Sequence, residues 1–167
     1  MRLAVCDTGP LLHLSEVGRL DVLSFVGPVV VPAAVAEELD SHLPGWSSSR
    51  PEWIRIDALD SEAARLAIAW EASGILHAGE AESVALARQV ECDWYLTDDA
   101  AARIFASPLG LEVHGTIGIV LWAAANRFIN RLETESLLDR LVAGSSLWVS
   151  PRIVAEAKSA LDELCGA

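Results

Sequence analysis

At 167 residues the chain suits one domain, burying about 70% of its unfolded surface, and an apolar content of 52% excludes a disordered tail. Asp and Glu outnumber Lys and Arg by 24 to 12, so the surface repels nucleic acid unless a bound cation, an arginine patch or a basic partner intervenes. No apolar run reaches the roughly 18 residues of a membrane span, Asp7 breaks the N-terminal apolar region too early for a secretory signal, and the scattered Cys6, Cys92 and Cys165 lack metal-site spacing, so reduced thiols and a cytoplasmic location are expected.

Residues 2–6 are nearly all apolar, as in a strand buried on both faces of a parallel sheet. Asp7-Thr8-Gly9-Pro10 turns the chain, Leu11 to Val17 has helical spacing, and another helix is predicted from Arg19 to Phe25. Val29-Val30-Val31 reads as a second strand, and Pro32 opens a helix from Ala33 to His42. Leu43 to Pro51 has loop composition, and Trp53 to Ile56 is a candidate edge strand. Asp60 or Ser61 caps a helix reaching Ala72, and a linker between Gly74 and Gly79 leads to a helix over 79–90. A strand over 94–97 follows, then a helix from Asp99 to Ser107, stopped by Pro108 and Gly110. Leu111 to His114 is the last strand; Gly115-Thr116 enters a helix through Phe128, and further helices lie near 133–142 and 151–164. Strands alternating with helices predict an α/β/α sandwich around a parallel sheet of four or five short strands. Residues 1–167 form one domain, with a C-terminal helical extension from about residue 131.

Asp7 ends the first strand, where an aspartate serves equally as a turn residue. On the helix entered at Pro32, Glu38 shares the inner side with Val35 and Leu39, whereas Glu37 lies about 200° from Val35 and points to water. Glu80 sits in a first helical turn, which itself favours a carboxylate; it shares the face of Val84 and Ala87, with Glu82 turned away. Asp98 and Asp99 stand where a helix begins, and capping is a sufficient reason for either. Each acid alone has an ordinary explanation. Together they do not, because strand ends and helix starts of a parallel sheet share one edge. Like charges about 4 Å apart cost on the order of 4 kcal/mol per pair at an effective dielectric of about 20, so the cluster implies a counter-cation. Oxygen donors without a nearby Cys or His pair fit Mg2+ or Mn2+ better than zinc. His13, His42, His77 and His114 show no ligand spacing and read as surface or satisfied core, and the six tryptophans read as packing.

Asp7-Thr8, the run V-P-x-x-V-x-x-E-L from Val31 to Leu39, Gly79 to Ala87, L-T-D-D-x-x-x-R from Leu96 to Arg103, and Gly110 to Leu121 together resemble a PIN domain. The resemblance spans nearly the whole chain and is nearest to a PIN-like subgroup of predicted nucleic-acid binding, similar to toxin nucleases of VapC type. It implies a metal-dependent ribonuclease acting on single-stranded RNA, with Asp7, Glu38, Glu80 and Asp99 as the acid quartet and Mg2+ or Mn2+ as cofactor. Asp7, Glu80 and Asp99 would hold metal, with Asp98 a candidate fifth acid. Thr8 would orient Asp7 or a metal water, and Arg103 would meet a phosphate or form a surface salt bridge. Glu38 or Asp99 would take the proton of a water whose pKa the metal lowers. Where such toxins commonly carry Asp at the third position, this chain carries Glu80.

The resemblance further implies a small antitoxin-like partner whose arginine or lysine enters the acidic pocket. The apolar load of Leu137, Leu138, Leu141, Val142, Leu147 and Trp148 predicts a homodimer. The alternative is a PIN-like module that binds nucleic acid or regulates without cutting; all four acids are retained, which weighs against it. A receiver domain needs an inner lysine, and Lys158 lies in the terminal helix; a haloacid dehalogenase-type phosphatase needs D-x-D where this chain has Asp7-Thr8-Gly9.

Overall fold

The computed structural model describes residues 1–165, the side chain of Cys165 excepted. Strands β1 (Ala4–Cys6), β2 (Val29–Val31), β3 (Ile54–Ile56), β4 (Trp94–Leu96) and β5 (Val113–His114) form one parallel sheet in the order β3-β2-β1-β4-β5. The expected edge strand over 53–56 is thus present, at one end of the sheet. Strand residues alternate between two cores. Ala4, Cys6, Val29, Val31, Ile54, Trp94 and Leu96 face one, while Val5, Val30 and Tyr95 face the other. Both faces are covered, which is why β1 and β2 read as continuous apolar runs.

On the first face lie α1 (Thr8–Glu16), a 3-10 helix (Leu20–Phe25), α2 (Ala33–His42), α7 (Thr116–Ala125), α8 (Arg131–Gly144) and α9 (Pro151–Cys165). On the second lie α4 (Ser61–Ala72), α5 (Ala78–Gln89) and α6 (Ala100–Ala106). A helical turn, α3 (Trp46–Ser49), interrupts the stretch expected as loop; Gly45, at φ 82°, turns the chain so that Trp46 is buried. The sheet and its covering layers are the α/β/α sandwich expected from the alternation of elements. Helices α8 and α9 belong to the main core, since Leu137, Leu138, Leu141 and Ala157 are all at most 4% exposed. Half of the apolar load that suggested a dimer is therefore buried within the chain, while Val142 and Trp148 remain exposed.

The chain winds from β1 outward to β3, then returns to place β4 on the opposite side of β1. The crevice at the carboxyl ends of β1 and β4 is therefore the switch point where open sheets bind ligands. Among the described residues, no helix is long and apolar enough to cross a membrane. Cys6 and Cys92 carry free thiols; burial raises both, the Cys92 thiol to about 11, which disfavours the reactive thiolate.

Candidate active site

Four acids from four separate segments meet at the switch point. Asp7 follows β1, Glu38 lies on α2, Glu80 on the first turn of α5, and Asp99 caps α6; all four line one cleft of about 260 Å³ with Thr8, Gly9, Leu12, His42, His77 and Gly79. Each acid is fixed by one oxygen. Thr97 donates its hydroxyl to Asp7 Oδ2 (3.0 Å), and Thr8 donates its hydroxyl to Glu38 Oε2 (2.7 Å). The backbone N–H of His77 donates to Glu80 Oε2 (2.9 Å), and that of Ala102 donates to Asp99 Oδ1 (2.8 Å). The second oxygen of Glu38, Glu80 and Asp99 makes no hydrogen bond among the described residues. The cap roles foreseen for Glu80 and Asp99 and the cleft position thus coexist, because a carboxylate has two oxygens to divide.

Gly79 makes the approach possible. A methyl group built there would stand 3.0 Å from Glu38 Oε2 and 3.9 Å from Asp7 Oδ1, so the absence of a side chain lets α5 bring Glu80 against the other two acids. Ser83 anchors α5 from beneath through its contact with the buried Tyr95 hydroxyl (2.9 Å).

The electrostatics record the crowding. Burial foremost, with the charges of Glu80 and Glu38 added, pushes the Asp7 carboxyl up to about 6 against the opposing Thr8 and Thr97 bonds. Burial likewise raises Glu80, helped by Asp99 and Glu38 and opposed by the His77 N–H. The donor set is oxygen-rich and anionic, the chemistry that suits a hard divalent cation. Asp7, Glu80 and Asp99, with Glu38 beside them, are the residues that would hold one. Among the described residues, no three His, Cys, Asp or Glu stand close enough to close on an ion as they are, so holding one requires the side chains to draw together.

Two expectations differ in the structure. Asp98 does not enter the cleft: its Oδ2 is held by His13 Nδ1 (2.8 Å) and the Thr116 hydroxyl (2.6 Å), and its Oδ1 accepts from the Thr116 N–H (2.7 Å). Burial opposes ionisation there, but these three bonds outweigh it and hold Asp98 below the usual carboxylate range. Adjacent residues leaving a strand point opposite ways, and the start of α7 claims this one. Arg103 faces neither phosphate space in the cleft nor a carboxylate; its guanidinium donates to the carbonyls of Thr97 (3.2 Å) and Val113 (3.5 Å), tying β4 to β5. Thr8 serves two acids: its hydroxyl orients Glu38, while its backbone N–H joins the Thr97 hydroxyl in holding Asp7.

Sequence reasoning passed over Thr97, which bonds Asp7 and also accepts from the Asp99 N–H (3.1 Å), coupling two of the acids. It also passed over His42 and His77. A signal for His42 existed: it lies four residues after Glu38, hence on the same helical face. Glu37 and Glu38 are both exposed, so Glu38 is not buried on an inner face as expected; what separates them is that only Glu38 lines the cleft. Glu82 is turned from the cleft but not idle, since its Oε2 accepts from the Ala34 N–H (3.0 Å) at the start of α2.

Searches of curated proteins and of solved structures found no match. The model of a family described as a PIN domain, by contrast, matches residues 3–163, a span that includes every strand and all four cleft acids. PIN domains are generally nucleases and generally use divalent metals, which is the chemistry that an oxygen-lined anionic cleft at a sheet switch point would serve. This chain belongs to the PIN domain family.

Proposed function

We propose that the protein is a Mg2+- or Mn2+-dependent endoribonuclease acting on single-stranded RNA. The observation that carries the reading is the meeting of Asp7, Glu38, Glu80 and Asp99 in one cleft, each fixed by one oxygen. When bound, the cation supplies Lewis acidity and positive charge at the scissile phosphate. Asp7, Glu80 and Asp99 would hold it, and the fixed oxygens restrict how far each carboxylate can turn. Glu38 is the most solvent-exposed of the four and is oriented by Thr8; it accepts the proton of the attacking water as that water's oxygen bonds to phosphorus and the bond from phosphorus to the ribose oxygen breaks, the ribose oxygen taking a proton from solvent to leave as a hydroxyl. The cleft contributes no Lys or Arg, so without the cation the site repels its substrate.

The test is removal and restoration. Protein purified in EDTA should leave a labelled single-stranded RNA intact, and Mn2+ added back should restore cutting. RNA bound but uncut under both conditions would favour the alternative, a PIN module that binds nucleic acid without cleaving it; the open spacing of the acids is the observation on that side.

A toxin-like role and its partners belong to the same proposal. The small antitoxin-like partner would present a basic side chain to the acid cleft. A second copy would cover the face where Ile104, Trp148 and Ile153 surround a groove of about 730 Å³, with Trp148 84% exposed. Light scattering at tens of micromolar that shows only monomer would remove the homodimer.

A further inference from the structure

Arg103 is unavailable to the cleft, and among the described residues no lysine or arginine lines it. Its side chains nevertheless include two nitrogen donors, His42 and His77. Their places are set by the helices that carry the acids. His42 ends α2, one turn beyond Glu38, and His77 precedes α5, three residues before Glu80. The other two histidines are committed elsewhere: His13 is bonded to Asp98, and His114 is bonded to Glu112 (2.9 Å) and packed on Trp94. His42 has no side-chain hydrogen bond among the described residues; the His77 ring accepts from the Glu80 N–H in the capping box of α5, which leaves its other nitrogen as an N–H donor; and both cleft histidines are exposed.

We infer that His42 and His77 are substrate-positioning residues that donate imidazole N–H groups to phosphate oxygens flanking the scissile bond, a role resting on the nuclease reading above. A neutral imidazole carries one N–H donor, so the contact needs no protonation. An N–H donor also suits a site of this charge: a permanently cationic arginine would pair with the carboxylates and compete with the metal, whereas an imidazole can contact a phosphate without doing so. Two donors carried into one cleft by two different helices, α2 and α5, can grip separate phosphates of an extended strand, which favours single-stranded over duplex RNA.

The experiment compares wild type with His42→Phe, His77→Phe and His42→Gln in three measurements. These are KM and kcat for a labelled single-stranded oligoribonucleotide in Mn2+, anisotropy of the same RNA in Ca2+, and Mn2+ affinity by calorimetry. Loss of a hydrogen bond to a charged oxygen should raise KM and the RNA dissociation constant about tenfold in each Phe variant, with a smaller change in kcat. Gln, which keeps an N–H donor, should recover most of the loss, and Mn2+ affinity should hold. Unchanged RNA binding, or Mn2+ affinity that falls in parallel, would overturn the inference; the second result would make the ring a metal ligand. If wild type binds RNA without cutting it, the nuclease reading fails and the anisotropy series still decides the histidine contact. If wild type does not bind RNA, both fall.

Discussion

Replacing Asp7 by asparagine should stabilise the metal-free protein. The carboxyl is 6% exposed and is raised from 3.8 to about 6, chiefly by burial. At 1.36 kcal/mol per pKa unit, that displacement corresponds to about 3 kcal/mol against the ionised form in the native state. A folded pKa above the unfolded one means that the native state binds the proton more tightly. The native state is therefore unpenalised below about pH 3.8, loses stability as pH rises toward 6, and carries the full penalty above that. Asparagine keeps the shape and an acceptor for the Thr97 hydroxyl while removing the charge. At this chain length each kcal/mol moves Tm by about 2–4 °C, so Asp7→Asn should melt roughly 5–10 °C above wild type near pH 7.5, with the hydrogen-bond change taking part of the gain. The difference should shrink to about a third by pH 4.5, on the way to vanishing below about pH 3.8. Scanning calorimetry in EDTA across that range reads both values. A destabilised Asp7→Asn at pH 7.5, or an offset that does not change with pH, would show that Asp7 is held as a turn residue and that its buried charge is not a cost to the native state.

Metal should act in the opposite sense. At a hundred times its dissociation constant, Mn2+ adds about 2.7 kcal/mol to wild type; Asp99→Asn should lose most of that gain and exposed Glu37→Gln should keep it, as thermal shifts with and without Mn2+ will tell. Gly79→Ala places a methyl 3.0 Å from Glu38 Oε2, so calorimetry should find Mn2+ affinity reduced on the order of tenfold without a lower apo Tm, since alanine favours the helix by roughly 0.5–1 kcal/mol over glycine. Glu82→Ala removes the acceptor at the start of α2 and should cost about 1 kcal/mol in urea melts, while Mn2+ affinity stays within about threefold because Glu82 lies outside the cleft; a tenfold loss would tie α2 docking to the site.

Helical periodicity put Glu38 rather than Glu37, and Glu80 rather than Glu82, on the side where the cleft lies, because Pro32 fixes where α2 starts and the apolar stripes fix which side of each helix faces the sheet. It said nothing of what Glu82 does, since its partner Ala34 is 48 residues away. Asp98 and Asp99 could not be told apart, because both leave the same strand and the choice between them is made by Thr116 on a later helix. Thr97 looked like one more strand residue; its role exists only because β1 and β4 pair so that Asp7 stands beside it. The last strand is shorter than its apolar run, Val113–His114 in place of 111–114, because only these two residues stand in register with β4, Glu112 contributing its carbonyl alone to the Tyr95 N–H. The terminal leucines read as surplus apolar surface because the long-range packing of α8 on α1 and α7 is invisible to local pattern.

The central claim is that the four cleft acids work as a unit with divalent metal to cut RNA. Its most direct measurement is the cleavage rate of one labelled single-stranded RNA in Mn2+ by wild type, Asp7→Asn, Glu38→Gln, Glu80→Gln, Asp99→Asn and the control Glu37→Gln. Residues acting as a unit are non-additive, so each of the four should reduce the rate by at least about a hundredfold, a double variant should be little worse than the worst single, and Glu37→Gln should match wild type. Wild-type cutting that survives EDTA, or that falls equally in Glu37→Gln and Glu38→Gln, would contradict the account.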